Sequence, residues 1–185
     1  MGVLTASRAA SAVVLAALAL AAGCGGDDES GPSGDVRANG TDAAFADAMI
    51  PLHESGVDAA DLALSRAQHR RLKDLAFDMV QTRSIELSTL RGVRDLLDQA
   101  GVEPGDLGAA ADSKVDVDTA ALRNSSNFDC DFIAAMIPLN EAEIRLARAE
   151  LADGIHAELR RMSENIVDTE SYEIRQLRRF QRRWC

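Results

Sequence analysis

The chain contains one segment twice, 87 residues apart. The segment FADAMIPLHE at residues 45–54 returns as FIAAMIPLNE at residues 132–141. The offset continues without a gap, and 17 of the 53 positions in 45–97 are identical in 132–184. A repeat of this length predicts a structure built from two similar halves that pack about a pseudo-two-fold axis.

Residues 1–23 have the pattern of an export signal. Arg8 supplies a positive charge, and residues 9–22 are a small-residue apolar run that is short for a membrane span. The run ends as LAAGC at residues 20–24, where a bacterial lipobox would place an acylated cysteine. An ordinary signal peptide with an incidental cysteine is the alternative. We predict a lipid anchor at Cys24, a flexible tether over 24–40, and a mature protein outside the cytoplasmic membrane.

The composition limits which fold classes and which partners are possible for this chain. The whole chain has a formal net charge of −10, which argues against nucleic acid as a partner, because phosphate binding needs a basic surface. One Trp, one Tyr and five Phe leave a core of aliphatic residues and Ala, which favours helices. Nucleophile, P-loop and dinucleotide motifs are missing from the sequence, so we predict that the protein is not an enzyme. The membrane is the partner that the lipid anchor implies, and no protein partner is indicated.

Apolar residues recur at helical spacing through both copies. The first helix is predicted over about 42–67 with Thr41 as its N-cap, and the second over about 69–99 with Gly101 as its stop signal. A connector rich in Gly, Asp and Ser joins copy 42–100 to copy 129–185 across residues 101–128. The sequence therefore predicts an all-α domain over 41–185, a four-helix bundle made of two duplicated hairpins.

Charged residues interrupt the apolar seam of this bundle. Arg83 and Glu86 lie at inward positions of the first copy, and Glu170 and Glu173 at inward positions of the second. Buried charges are costly unless they are paired or bind a ligand. Arg83 and Glu170 stand at equivalent positions with opposite charge, so we predict a cross-copy ion pair that fixes the register. Replacing Glu170 by Gln is then expected to leave Arg83 unpaired and to lower thermal stability.

The same level of the bundle collects side chains that could bind a metal. Met49 and His53 are four residues apart and share one helix face, close to the level of Glu86. The second copy supplies Met136 and Glu173 there, with Asn140 in place of the histidine. Thioether and imidazole groups are ligands that copper accepts. The candidate ligands are Met49, His53, Glu86, Met136 and Glu173. Apolar packing of the methionines and a buried His–Glu hydrogen bond are the alternative.

Two cysteines remain after the anchor, Cys130 and Cys185. An even number of cysteines in an exported protein suggests a disulfide. One of them opens the second copy and the other closes the chain, so the open ends of an antiparallel hairpin would bring them together. We predict the disulfide, with a pair of free thiols as the alternative.

At these motifs the chain resembles a known family, domain of unknown function 305. The resemblance implies an exported protein with a ferritin-like four-helix bundle, and copper binding in some members through a His-His pair after Met-Ile-Pro and through downstream methionines. It covers nearly all of 42–184 and rests on these residues: Phe45-x-x-x-Met49-Ile50-Pro51, Phe128-Asp129-x-x-Phe132-x-x-x-Met136-Ile137-Pro138, Glu86-Leu87 and Glu173-Ile174.

The chain departs from the family pattern where the family places ligands. Leu52-His53 keeps only the second histidine, and Leu139-Asn140 keeps neither. Arg83 and Glu170 stand where the family often has Gln. Two functions follow from these observations: transition-metal binding, with copper at a reduced site, or a metal-free envelope scaffold or interaction protein.

Overall fold

The computed structural model describes residues 37–112 and 115–185. The predicted signal segment 1–23, the predicted anchor Cys24 and most of the tether lie outside these residues. The described residues form helices without any strand: α1 (Gly40–Arg66), α2 (Arg70–Gln99), a 3-10 turn (Gly108–Asp112), α3 (Thr119–Asn124), α4 (Phe128–Asp153) and α5 (Ala157–Trp184). α1 packs against α2, α4 against α5, and α1 against α4, which gives the predicted all-α bundle of four long helices. No described helix is both long and apolar enough to span a membrane.

The start of α1 differs from the sequence prediction. Asn39, not Thr41, is the N-cap: its side-chain oxygen accepts hydrogen bonds from the backbone N–H groups of Thr41 at 2.9 Å and Asp42 at 3.2 Å. The Asp42 carboxylate accepts in return from the Asn39 N–H at 2.6 Å, which completes a capping box. Thr41 lies in the first turn because Asn39 has the extended backbone that a cap needs.

The end of α2 follows the predicted stop signal. Gly101 has φ of 70°, a left-handed conformation that glycine adopts without steric cost. Its N–H donates to the carbonyl of Asp98 at 3.0 Å, and the N–H of Val102 donates to the carbonyl of Leu97 at 2.9 Å. These two bonds form a Schellman motif, which satisfies carbonyl groups that the helix leaves free.

An aspartate at the start of each hairpin holds the turn of the other hairpin. Asp129 accepts from the backbone N–H groups of residues 68 and 69 at 2.9 and 3.0 Å. Asp42, 87 residues earlier, accepts from the N–H groups of residues 155 and 156 at 3.0 and 2.8 Å. Each carboxylate thus satisfies free donors at the start of α2 or α5, where a negative charge also complements the helix dipole.

A disulfide joins the two ends of the second hairpin. Cys130 lies in the first turn of α4 and Cys185 caps α5, with Cα atoms 5.7 Å apart and a sequence separation of 55. The neighbouring Trp184 ring stacks on His69 with ring centroids 3.8 Å apart, so the end of α5 also contacts the start of α2. The disulfide therefore constrains the end of the bundle that lies away from the start of α1.

Replacing Cys185 by Ser should lower the free energy of unfolding by about 4 kcal/mol, because the bridge closes a long loop in the unfolded chain. Urea titration followed by circular dichroism measures the loss. Reduction of the unaltered protein is the control and should give the same loss, whereas the variant should not respond to reductant. Equal stability of variant and oxidised protein would contradict the expectation.

Glu150 carries a buried carboxyl at the end of the bundle away from the disulfide, where Asp42 holds the turn between α4 and α5. Burial and the charge of the neighbouring Asp42 raise the pKa of Glu150 to about 8, although Arg160 opposes the shift. A Cβ atom on Gly154 would lie 2.2 Å from the Glu150 carboxyl, so glycine at this position leaves room for it. Glu150 is thus mostly protonated at neutral pH.

Replacing Glu150 by Gln should remove a pH dependence of stability. The folded-state pKa lies above the ordinary value of 4.5, so folding takes up a proton between about pH 4.5 and 8. The contribution of Glu150 to stability is complete below pH 4.5 and falls as the pH rises to about 8. In thermal melts at pH 5, 6.5 and 8, the melting temperature of the Glu150→Gln variant should rise relative to that of the unaltered protein as pH increases. Parallel curves would contradict this account.

Candidate functional site

Polar side chains from all four long helices meet inside the bundle. We call this set the polar seam. All its members are at most 3% exposed as residues except Glu86, whose side chain is 12% exposed. The polar seam consists of His53 from α1, Arg83 and Glu86 from α2, Asn140 and Glu143 from α4, and Glu170 and Glu173 from α5.

The Arg83 guanidinium is the centre of the polar seam. Its Nη1 donates to both oxygens of Glu173, at 3.2 and 3.1 Å. Its Nη2 lies within 3.0–3.1 Å of one oxygen each of Asn140, Glu143, Glu170 and Glu173. Burial lowers the pKa of Arg83, but the surrounding carboxyl groups, Glu143 above all, outweigh burial and raise it well above its ordinary value. Arg83 is therefore a permanent internal cation.

His53 lies beside this cation with a carboxylate at each ring nitrogen. Its Nδ1 is 3.0 Å from Glu143 and its Nε2 is 2.9 Å from Glu86. Burial and the Arg83 charge lower the pKa of His53, but Glu143 and the hydrogen bond to Glu86 outweigh them, so the pKa is raised. The protonated imidazole donates to both carboxylates, and both ring nitrogens are engaged.

The buried glutamates differ in protonation. Burial raises the pKa of Glu143, but Arg83 and His53 reverse the shift and hold it well below its ordinary value. Burial and the neighbouring Glu143 charge raise the pKa of Glu170 well above its ordinary value, although Arg83 opposes them. Glu143 therefore carries the negative charge, and Glu170 carries a proton that it shares with Glu143.

Gly56 on α1 provides the space that Arg83 occupies. A Cβ atom at this position would lie 3.0 Å from Arg83 Nε and 3.1 Å from Arg83 Cδ. In the second copy, the position equivalent to Gly56 is Glu143. At these two pairs of equivalent positions the copies are complementary: the first supplies a gap at Gly56 and a cation at Arg83, and the second supplies the carboxyls of Glu143 and Glu170.

The predicted metal ligands separate into two groups. His53, Glu86 and Glu173 belong to the polar seam. Met49 and Met136 are completely buried and belong to the hydrophobic core. Whether these residues bind a metal stays a prediction.

The predicted ion pair is part of a larger network. Arg83 Nη2 lies 3.1 Å from Glu170, as expected for that pair. The expectation that Glu170→Gln would leave Arg83 unpaired is wrong, because Glu143, Glu173 and Asn140 also accept from Arg83.

Glu143 is the residue that the sequence analysis missed. It lies three residues after Asn140 and therefore shares its helix face. A second signal was available, since its partner in the repeat is a glycine within a long helix. Gly56 in that position indicates that a large side chain fills the space beside it.

These donors do not fit the copper site that the family resemblance implies. Soft thioether and thiolate ligands select Cu(I), whereas carboxylates suit harder ions. The three close donors are carboxylates from Glu143 and Glu170 and the His53 imidazole, with ligand atoms within 4.8 Å of one another. A cation entering there would meet the positive guanidinium of Arg83.

The fold and the seam define a class of protein, a helical bundle whose interior holds a network of buried charges. The family described as "Domain of unknown function (DUF305)" matches residues 42–181, so the chain belongs to the DUF305 family. No similar sequence was found among curated proteins.

Solved structures with the same fold include copper-binding relatives. CopM in its Cu(I)-bound form is similar with a TM-score of 0.65 at 26% identity, over 77% of this chain and 96% of CopM. CopM in its Cu(II)-bound form gives 0.68 at 25% identity, over 78% and 97%. A DUF305 fragment from Deinococcus radiodurans gives 0.64 at 22% identity, over 79% and 98%, and supports the fold alone.

Replacing Glu143 by Gln should lower the free energy of unfolding by about 3–5 kcal/mol, because it removes the ionised partner of two buried cations. Glu170→Gln is the matched control, and it should change stability by less than about 1 kcal/mol because Glu170 is already neutral. Urea unfolding at pH 7 measures both. Equal losses in the two variants would contradict the assigned protonation states.

Proposed function

We propose that this chain is a lipid-anchored protein of the extracytoplasmic face whose bundle is held by its own buried charges, and that it serves as a metal-independent binding scaffold of the envelope. The proposal includes no catalytic activity. The anchor and the location rest on the sequence pattern around Cys24, which lies outside the described residues.

The observation that supports a metal-independent scaffold is the position of Arg83. Its Nη2 contacts Asn140, Glu143, Glu170 and Glu173 inside the level where metal ligands were predicted. A guanidinium is always protonated at physiological pH and makes a fixed fork of hydrogen bonds. A metal ion that entered the seam would have to displace this cation and also free a His53 nitrogen from a carboxylate.

Copper binding is the second candidate function. The similarity to CopM at 25–26% identity supports it, since those CopM structures are copper-bound forms. The site would use His53 and Glu86, with Met49, Met136 and Glu173 as further ligands. Glu86 is the member of the polar seam with a partly exposed side chain, so this edge is where an ion would enter.

Copper titration separates the two candidates. The full chain carrying Cys24→Ser, which prevents lipidation, is titrated anaerobically with Cu(I) against a competing chelator and separately with Cu(II). The scaffold proposal expects no stoichiometric copper binding and no change in melting temperature with chelator.

His53→Ala is the control for this titration. One equivalent of copper that is bound by the starting protein and lost in His53→Ala would reject the scaffold proposal and establish the second candidate. Copper that is retained in His53→Ala would reject the scaffold proposal and also place the copper outside the polar seam.

A further inference from the structure

The surroundings of Arg83 resemble those of a bound ion. One nitrogen of the guanidinium, Nη2, is surrounded by four side-chain oxygens at 3.0–3.1 Å from two helices. The oxygens belong to α4 and α5, whereas Arg83 reaches them from α2 through the gap beside Gly56. The four acceptor oxygens therefore form a binding site for a cation, which we call the cradle. The Arg83 side chain of the other hairpin supplies that cation.

The cradle also has unused binding capacity. Glu170 Oε2 is buried and accepts no hydrogen bond from any donor in the described residues. Apart from the proton that Glu170 shares with Glu143, this oxygen has no partner within the described part of the chain, so it can bind an ion that enters the site.

His53 is already arranged as a metal ligand would be. Its Nδ1 faces Glu143, and its other nitrogen is held by Glu86 at 2.9 Å. Histidine ligands of metal ions commonly donate their second ring N–H to a carboxylate, which fixes the ring orientation. The ligand atoms of His53, Glu143 and Glu170 lie within 4.8 Å of one another.

We infer that the polar seam is a cation-binding site occupied by the protein's own guanidinium, and that removal of the Arg83 side chain converts it into a site for a divalent ion of the Zn²⁺ class. His53, Glu143 and Glu170 are the ligands, and Glu86 orients His53. The inference rests on the proposed function, in which the unaltered protein needs no metal.

The donor types select the ion. Zn²⁺ accepts imidazole nitrogen and carboxylate oxygen as ligands, so one imidazole, two carboxylates and a water would complete its tetrahedral coordination. Mg²⁺ prefers six oxygens and keeps most of its waters, which a closed interior does not accommodate. Cu(I) lacks its preferred soft ligands at these positions. Zn²⁺ is therefore the probe and Mg²⁺ the comparison.

The test is a thermal melt of the full chain with Cys24→Ser, with and without Arg83→Ala, in Zn²⁺, Mg²⁺ or chelator. The Arg83→Ala variant should be destabilised in chelator and should gain about 5–10 °C when Zn²⁺ exceeds its dissociation constant 100-fold. Protein without this substitution should not respond. Arg83→Ala combined with Glu143→Gln should lose the Zn²⁺ response.

Arg83→Gln tests the same site with less disturbance of the packing, and a smaller Zn²⁺-dependent gain is expected because the amide fills part of the space. Failure of both variants to respond to Zn²⁺, including failure of Arg83→Ala to fold with Zn²⁺ present, would overturn the inference. A Zn²⁺ response that persists without Glu143 would also overturn it.

Failure of this inference can be distinguished from failure of the proposed function. That proposal fails if the protein with Arg83 intact binds copper stoichiometrically. The present inference fails if the protein lacking Arg83 does not bind Zn²⁺ in the polar seam. The two results come from different variants and different ions.

Discussion

The ion pair between Arg83 and Glu143 is the interaction on which the rest of the polar seam depends. Arg83 fixes the ionised state of Glu143, and Glu143 in turn fixes the proton on Glu170 and favours the charged form of His53. A single buried Arg–Glu pair is weak evidence for stability, because desolvation offsets the attraction. Here the cation is shared by four acceptors from the other hairpin, so the pair sets how the two hairpins dock.

The two copies keep the same contacts but differ in charge. His53 bonds Glu86 in the first copy, and Asn140 bonds Glu173 in the second at 2.8 Å, 87 residues further on. The outer ion pair between Arg91 and Glu54 is likewise matched 87 residues on, by a pair between Arg178 and Glu141. The two copies differ at the centre of the bundle, near the pseudo-two-fold axis that relates them. The space there is too small for a large charged side chain from each copy. One guanidinium therefore fills this space. The first copy supplies it with Gly56 and Arg83, and the second copy supplies Glu143 and Glu170 around it.

The fold could be predicted from the sequence because its signals are local and repeated. Helical periodicity, the stop at Gly101 and the fixed offset together specify four helices in two hairpins. The level of Arg83 and Glu170 in the bundle was predictable for the same reason. The full partner set of Arg83 was not, because a long side chain selects its acceptors by the space open to it. That space lies beside Gly56, and although the repeat marks this glycine, which side chain fills the space is decided only when α1 and α2 pack. The predicted N-cap of α1 was wrong because Asn39 and Thr41 both have side chains that can cap a helix. The hydrogen bonds that Asp42 accepts from the α4–α5 turn select Asn39.

The state of the Arg83 side chain in solution tests the central claim most directly. A guanidinium held by buried acceptors rotates slowly about its Cζ–N bonds and exchanges its protons slowly with water. Nitrogen-15 NMR of the metal-free protein, with Arg83→Gln to assign the signals, should show separate Nη resonances for Arg83 that do not change when one equivalent of copper is added. A single averaged Nη resonance, or loss of the separate signals on copper addition, would contradict the account of Arg83 as the fixed internal cation of this bundle.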